Sequence, residues 1–252
     1  AYSAARPPHA EGLAVWIAAY LANETACPNI NLLHLSSGKA MAAALAMQRV
    51  FPHIDFRREV TVGHLLLDTG APAGALAKVN PPLRPRADVE HLWRAVLDGE
   101  VSWIVSDHAC CSTEMKISSE RPDDIWLAKS GFGGTEYLLS GVFSEGSKRG
   151  LPYHRMAQLC SRNPAPRYGL LGKGDVAPGY DADLALLDPN QSFTVRAADS
   201  PSGQGYTPFE GQELTGKVTA TFLRGALVYE HRKVLGPALG RYVARPSGAP
   251  AV

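Results

Sequence analysis

Two side chains stand where short strands should end. Asp107 closes the run Val101-Ser102-Trp103-Ile104-Val105-Ser106-Asp107, and His34 closes Ile30-Asn31-Leu32-Leu33-His34. Each run is apolar, and the first is preceded by Gly99. Such runs read as strands buried on both faces of a parallel sheet. In a barrel of alternating strands and helices, chemistry sits at the C-terminal strand ends. Neutral imidazole and carboxylate are ordinary ligands of zinc and similar divalent ions, and a carboxylate can also move a proton. Two ligands are not a site, because a catalytic zinc takes about three protein ligands and a water. On the residues alone, His34 also reads as a buried histidine bonded to backbone, and Asp107-His108 as a polar pair on a surface loop.

The elements that must position these residues follow a βαβ rhythm, α-β-α-β-loop-α-β. Residues 8–25 are predicted helical: Pro7 and Pro8 suit a helix start, and Leu13, Trp16, Ile17, Tyr20 and Leu21 recur at helical spacing. A strand at 30–35, an Ala/Met-rich helix at 39–50 and a strand at 54–62 follow. Asp88 is placed as the N-cap of a helix over 89–97, with a stripe of Val89, Leu92, Trp93, Val96 and Leu97, and Gly99 ends it. A polar loop over 112–131 leads to helices around 135–143 and 153–161. After Gly169 the texture changes. Gly172, Gly174, Pro178 and Gly179 punctuate short strands at 182–187 and 218–229, typical of a small β unit. Three parallel strands cannot close a barrel, which takes eight, so the chain reads as a fragment or as a shortened protein that pairs with something.

Composition narrows the class. With 252 residues and 45% hydrophobic content the chain can bury a large core. Lys and Arg total 25 against 24 Asp and Glu, which gives no basic surface for nucleic acid or an anionic membrane. Cys27, Cys110, Cys111 and Cys160 have no Cys-x-x-Cys spacing, so a reducing, cytoplasmic setting is expected rather than a disulfide framework. No apolar run approaches the ~20 residues of a membrane span, and no leader pattern is seen. The chain begins at Ala1 without methionine, which leaves open a processed terminus or a piece of something longer.

Four segments in order carry a resemblance: His34-Leu35-Ser36-Ser37, Val79-Asn80-Pro81-Pro82-Leu83-Arg84, Ser106-Asp107-His108, and 173–184. They resemble the cyclic amidohydrolases, the group of hydantoinase/dihydropyrimidinase, allantoinase and dihydroorotase. Ala5-Arg6-Pro7 with Glu11 looks like the segment that opens the helix before the histidine strand there. The resemblance runs from about residue 4 to 230. It implies an α/β fold, the C-terminal portion of a (β/α)8 barrel plus part of a small β-sandwich, with 1–168 as barrel, 169–245 as sandwich and 246–252 as a loose tail. It further implies that His34 and Asp107 are metal ligands, with zinc expected and two ions in the complete family site. Asp107 would also be the catalytic proton carrier, with Asn80, Ser130 and Gly131 contacting substrate through their backbone. Glycine in 129–134 fits that role by letting the main chain approach a planar ring, though an ordinary helix-entry turn would use it too. Asp181 and Asp183 belong to a structural turn. The family's His-x-His pair, carboxylated lysine and fifth-strand histidine have no counterpart here, so the chain carries at most two of six ligands.

The implied partners are a small cyclic amide, the missing N-terminal half of the barrel and further copies of the protein as a homo-oligomer. Substrate signals are divided. Residues 106–116, ending Glu114-Met115-Lys116, resemble allantoinase, whereas Glu59-Val60-Thr61 and the 79–84 segment look more like dihydroorotase. Where dihydroorotases place Pro-His-His this chain has Val62-Gly63-His64. The expected activity is metal-dependent hydrolysis of a ring C–N bond. The alternatives are a truncated non-catalytic scaffold and a plain βα binding module without metal.

Overall fold

The computed structural model describes residues 1–245; the tail expected from Pro246 lies outside them. The described chain divides into two compact units. The first comprises Ala1–Leu138 and Thr194–Gln212. Its elements in order are α1 (Tyr2–Ala5), α2 (Pro8–Glu24), β1 (Asn29–Leu32), α3 (Gly38–Val50), β2 (Asp55–Thr61), α4 (Val62–Leu66), α5 (Arg86–Leu97), β3 (Trp103–Val105) and α6 (Thr113–Lys116). The strands form a parallel sheet in the order β1-β2-β3. Leu32 pairs with Arg58, and Thr61 with Val105, so the C-terminal ends of all three strands share one edge.

Helical spacing locates α2 but misleads about its inner face. Gly12, Val15, Ala19 and Ala22 are buried, while Leu13, Trp16, Ile17, Tyr20 and Leu21 are about half exposed. The reason is the partner. α3 offers Ala40, Ala43 and Ala44, and two rows of small residues let the helices approach closely. A Cβ at Gly12 would make ordinary contact with α3, 3.5 Å from the Lys39 carbonyl oxygen.

Asp88 is a cap, though for a different helix than expected. α5 begins at Arg86 behind Pro85, and Asp88 lies in its first turn, where a carboxylate suits the helix dipole. Its Oδ1 accepts from the Gly38 N–H at 3.0 Å, so it caps α3 across space, beside Ser37 Oγ, which accepts from the Ala40 N–H at 3.2 Å. The stop at Gly99 is as expected. With φ +79 it lets its own N–H reach the Val96 carbonyl and the Glu100 N–H reach that of Ala95, a Schellman ending. Trp93 and Trp103 fill the core between α5 and the sheet, and the Trp93 indole donates to the Leu65 carbonyl at 2.9 Å, which ties down α4.

The second unit comprises Leu139–Phe193 and the described residues from Glu213 on. It holds α7 (Leu138–Lys148), α8 (Tyr153–Ala157) running into a π-turn at Gln158–Arg162, α9 (Pro164–Arg167), β4 (Leu184–Thr194), β5 (Glu213–Leu223), β6 (Ala226–Glu230) and β7 (Lys233–Val234). Sheet order is β4-β5-β6-β7, antiparallel from β5 to β7. The strand expected over 218–229 is in fact a hairpin. Arg224 and Gly225 both take positive φ, +48 and +81, the two-residue turn whose twist matches the flanking strands. Asp183 accepts from the Arg224 N–H at 2.7 Å and pairs with Lys173, which also reaches Asp181 at 2.8 Å. Both aspartates thus hold a turn, as the resemblance implied.

Candidate active site

Past β1 the chain turns at His34 (φ +39), and past β3 it turns at Asp107 (φ +49). Left-handed backbone is strained for a residue with a Cβ and persists where surrounding contacts enforce it. At His34 the enforcing group is Glu59 on the middle strand, itself buried. Its Oε1 accepts from the His34 N–H at 3.1 Å and its Oε2 from the Trp103 indole at 2.8 Å, while its carbonyl accepts from the Leu35 N–H at 2.8 Å. One buried carboxylate therefore ties the tip of β1 to the start of β3 across the middle strand.

The turn after His34 is held from behind. Glu11 accepts from the Ser36 N–H and Ser36 Oγ, each at 2.8 Å, and from Ser37 Oγ at 3.0 Å. Arg84, 2% exposed, donates to Ser36 Oγ at 3.0 Å, the Arg6 carbonyl at 2.5 Å and Glu11 Oε2 at 3.3 Å.

His34 Nδ1 is buried without a hydrogen-bond partner, as a nitrogen reserved for a ligand would be. Asp107 is exposed at the same sheet edge, two strand spacings or about 10 Å across. Among the described residues, no group of three or more His, Cys, Asp or Glu side chains is placed to hold a metal. His34 and Asp107 are of metal-ligand donor type, and no complete ligand set is present among the described residues.

The three residues expected at the substrate do come together. Asn80 Nδ2 donates to Ser130 Oγ at 2.9 Å, and Asn80 Oδ1 accepts from Tyr2 Oη at 2.5 Å and Arg6 Nε at 3.2 Å. The Gly131 N–H donates to the Lys78 carbonyl at 2.9 Å, and the Phe132 carbonyl accepts from the Ala109 N–H at 3.2 Å, which fixes this loop beside the Asp107 turn. Gly131 is required there: φ is +97, and a Cβ would sit 2.7 Å from that of Ala109. Gly131→Ala should destabilise the protein by about 1–3 kcal/mol through strain and overpacking, read as a lowered urea midpoint. His108 faces the same loop, its Nδ1 accepting from the Gly134 and Thr135 N–H groups at 3.1 and 3.3 Å, and buried Gln204 accepts from the Gly133 N–H at 2.7 Å.

His64 is packed rather than open at a site mouth. Its Nε2 lies 3.0 Å from the Pro81 carbonyl, which can only accept, so Nδ1 is left to accept from Thr61 Oγ1 at 2.7 Å. Burial pulls its pKa down to about 4, against the Pro81 hydrogen bond and with help from His34 and Arg84. Its folded pKa thus lies below the unfolded value of about 6.5. Between the two the unfolded chain binds a proton that the folded one excludes. The stabilisation is complete above pH 6.5 and is lost as pH falls towards 4, on the order of 3 kcal/mol in all. Melting temperatures across pH 7 to 4 should fall accordingly, and His64→Gln should flatten that part of the slope.

Sequence reading missed the supporting shell. Glu59, Glu11 and Arg84 lie within segments quoted for their resemblance, but nothing in one-dimensional spacing says that they bond to the His34 turn.

Comparison with known proteins agrees with this architecture. Residues 24–228 match the Amidohydrolase family. An allantoinase of Rubrobacter xylanophilus is 40% identical over 247 residues, covering 96% of this chain and 52% of that protein. An allantoinase of Deinococcus radiodurans is 37% identical over 244 residues, 95% of this chain and 52% of that protein. The crystal structure of dihydropyrimidinase from Brevibacillus agri superposes with a TM-score of 0.88 at 29% identity, covering 97% of this chain and 55% of that one. The chain spans about half the length of the curated relatives it matches. The expected α/β fold, a portion of an amidohydrolase-type barrel with part of a small β unit, is the fold observed. With its two strand-end turns, its parallel sheet and a family match over most of its length, the chain belongs to the amidohydrolase family.

Proposed function

We propose that this chain is the C-terminal portion of the catalytic barrel of a cyclic amidohydrolase, which hydrolyses the ring C–N bond of a cyclic amide or ureide. The observation that carries this reading is the pair of strained turns that sets His34 and Asp107 on one edge of one sheet, the first fastened by Glu59 and the second followed by the Ala109 N–H bond to the Phe132 carbonyl. In this proposal His34 and Asp107 would hold part of a divalent metal site, zinc by expectation. When bound, such an ion lowers the pKa of water and polarises a carbonyl. Asp107 takes the proton of the attacking water and returns it to the leaving ring nitrogen. Main-chain groups at Asn80 and Ser130 orient the ring, and Gly131, its own N–H and C=O held by Lys78 and Lys116, lets the main chain approach it closely. The other ligands would come from protein outside residues 1–252. The division at residue 168 between barrel and sandwich, a cytoplasmic setting and a homo-oligomer belong to the same proposal. Among the described residues no helix is long and apolar enough to cross a membrane.

Allantoin is the favoured substrate, supported by relatives named allantoinase and by residues 106–116. A non-catalytic scaffold is the second reading, favoured by the lack of a complete ligand cluster among the described residues. The test is hydrolysis by the full-length, metal-loaded protein of allantoin, dihydroorotate, dihydrouracil and hydantoin. Preferential turnover of allantoin is expected. Turnover of none of the four would favour the scaffold.

A further inference from the structure

Two buried lysines grip the loop that carries Ser130 and Gly131. Lys116 is fully buried, and its Nζ donates to three main-chain carbonyls: Lys78 at 2.8 Å, Lys129 at 2.7 Å and Gly131 at 2.6 Å. Lys78 Nζ donates to the carbonyls of Ala128 at 2.6 Å and Trp126 at 3.3 Å. An ammonium has three donors, and Lys116 spends all of them on backbone from two separate loops. Burying a charge is costly unless it is hydrogen-bonded, and burial lowers its pKa to about 8.

The consequence lies in peptide geometry. In a planar trans peptide the C=O and the following N–H point in opposite directions. Holding the Lys129 carbonyl on Lys116 therefore turns the Ser130 N–H to the opposite side of that plane. The same ammonium holds the carbonyls of Lys78 and Gly131, so the segments bearing Asn80 and Ser130 are set in register by one group. The Gly131 N–H to Lys78 carbonyl bond and the Asn80–Ser130 side-chain bond close the arrangement.

We propose that Lys116, assisted by Lys78, is a positioning residue that anchors Gly131, aims the Ser130 backbone at the substrate ring and so sets substrate affinity. It acts through these residues and touches no reacting atom. The inference rests on the cyclic amidohydrolase reading for its substrate, and on the observed bonds alone for its clamp.

The experiment compares Lys116→Met and the milder Lys78→Met with wild type in the full-length protein. Three quantities are read: steady-state kinetics on allantoin, bound metal per chain, and amide hydrogen exchange over 126–132. Misplacing a binding group by about 1 Å can cost on the order of 10²-fold. Lys116→Met should lower kcat/KM by about that factor through KM, with kcat and metal content near wild type, and exchange should quicken within 126–132. Lys78→Met should do the same more weakly, and it answers the question if Lys116→Met does not fold. Unchanged exchange in 126–132, or a loss confined to kcat, overturns the proposal. If wild type hydrolyses no cyclic amide, the functional reading fails, and the exchange measurement still decides the clamp.

Discussion

Asp107→Asn in the full-length protein is expected to lower kcat by about 10²–10⁴-fold, the range lost when a positioned proton acceptor is removed. Asparagine keeps the shape of the side chain and removes its basicity. The backbone should not object, because φ at Asp107 is +49 and asparagine is among the residues that best tolerate left-handed conformation. Asp107 is exposed in this chain, so no core contact within it is lost, and bound metal per chain is measured alongside because Asp107 is also a proposed ligand. The loss should fall on kcat and kcat/KM alike, as for an interaction made in the transition state. Hydrolysis at the wild-type rate by this variant would refute the role given to Asp107.

Arg84→Met is expected to have the largest effect on stability. The guanidinium is 2% exposed and bonds Ser36, Glu11 and the Arg6 carbonyl at once. Removing one partner of a buried ion pair leaves the other charge uncompensated and costs about 3–5 kcal/mol. Methionine fills much of the space, so a cavity contributes little. Glu11→Gln in the same background should recover part of the loss, because the stranded carboxylate is then gone; the double variant should be less destabilised than the sum of the singles. Urea unfolding of the four proteins measures this. Strict additivity would mean that Glu11 and Arg84 do not act as a pair.

How far the residues alone reach depends on the range of the interaction. Local signals located α3, β2 and the end of α5, since helix period, alternation and a glycine stop act within a few residues. They placed His34 and Asp107 at strand ends for the same reason. They failed where a local signal has two uses. The apolar stripe of α2 marks a helix but faces outward, because the alanines of α3 select its small-residue side. Asp88 has the chemistry of a cap and serves α3 instead of α5. Arg224-Gly225 hides a hairpin turn inside what reads as one strand.

Taken by itself, the sequence determined the types of residue available for chemistry, the βαβ rhythm that puts them at strand ends, and a resemblance that named a reaction class. Only the tertiary structure decided that Glu59 fastens His34 and Trp103, that Arg84 and Glu11 brace the turn behind them, and that Lys116 gathers carbonyls from two loops. Those bonds join residues between 13 and 73 positions apart. Side-chain type and short-range spacing carry no record of such partners, because they meet only after the sheet has brought its strand ends together.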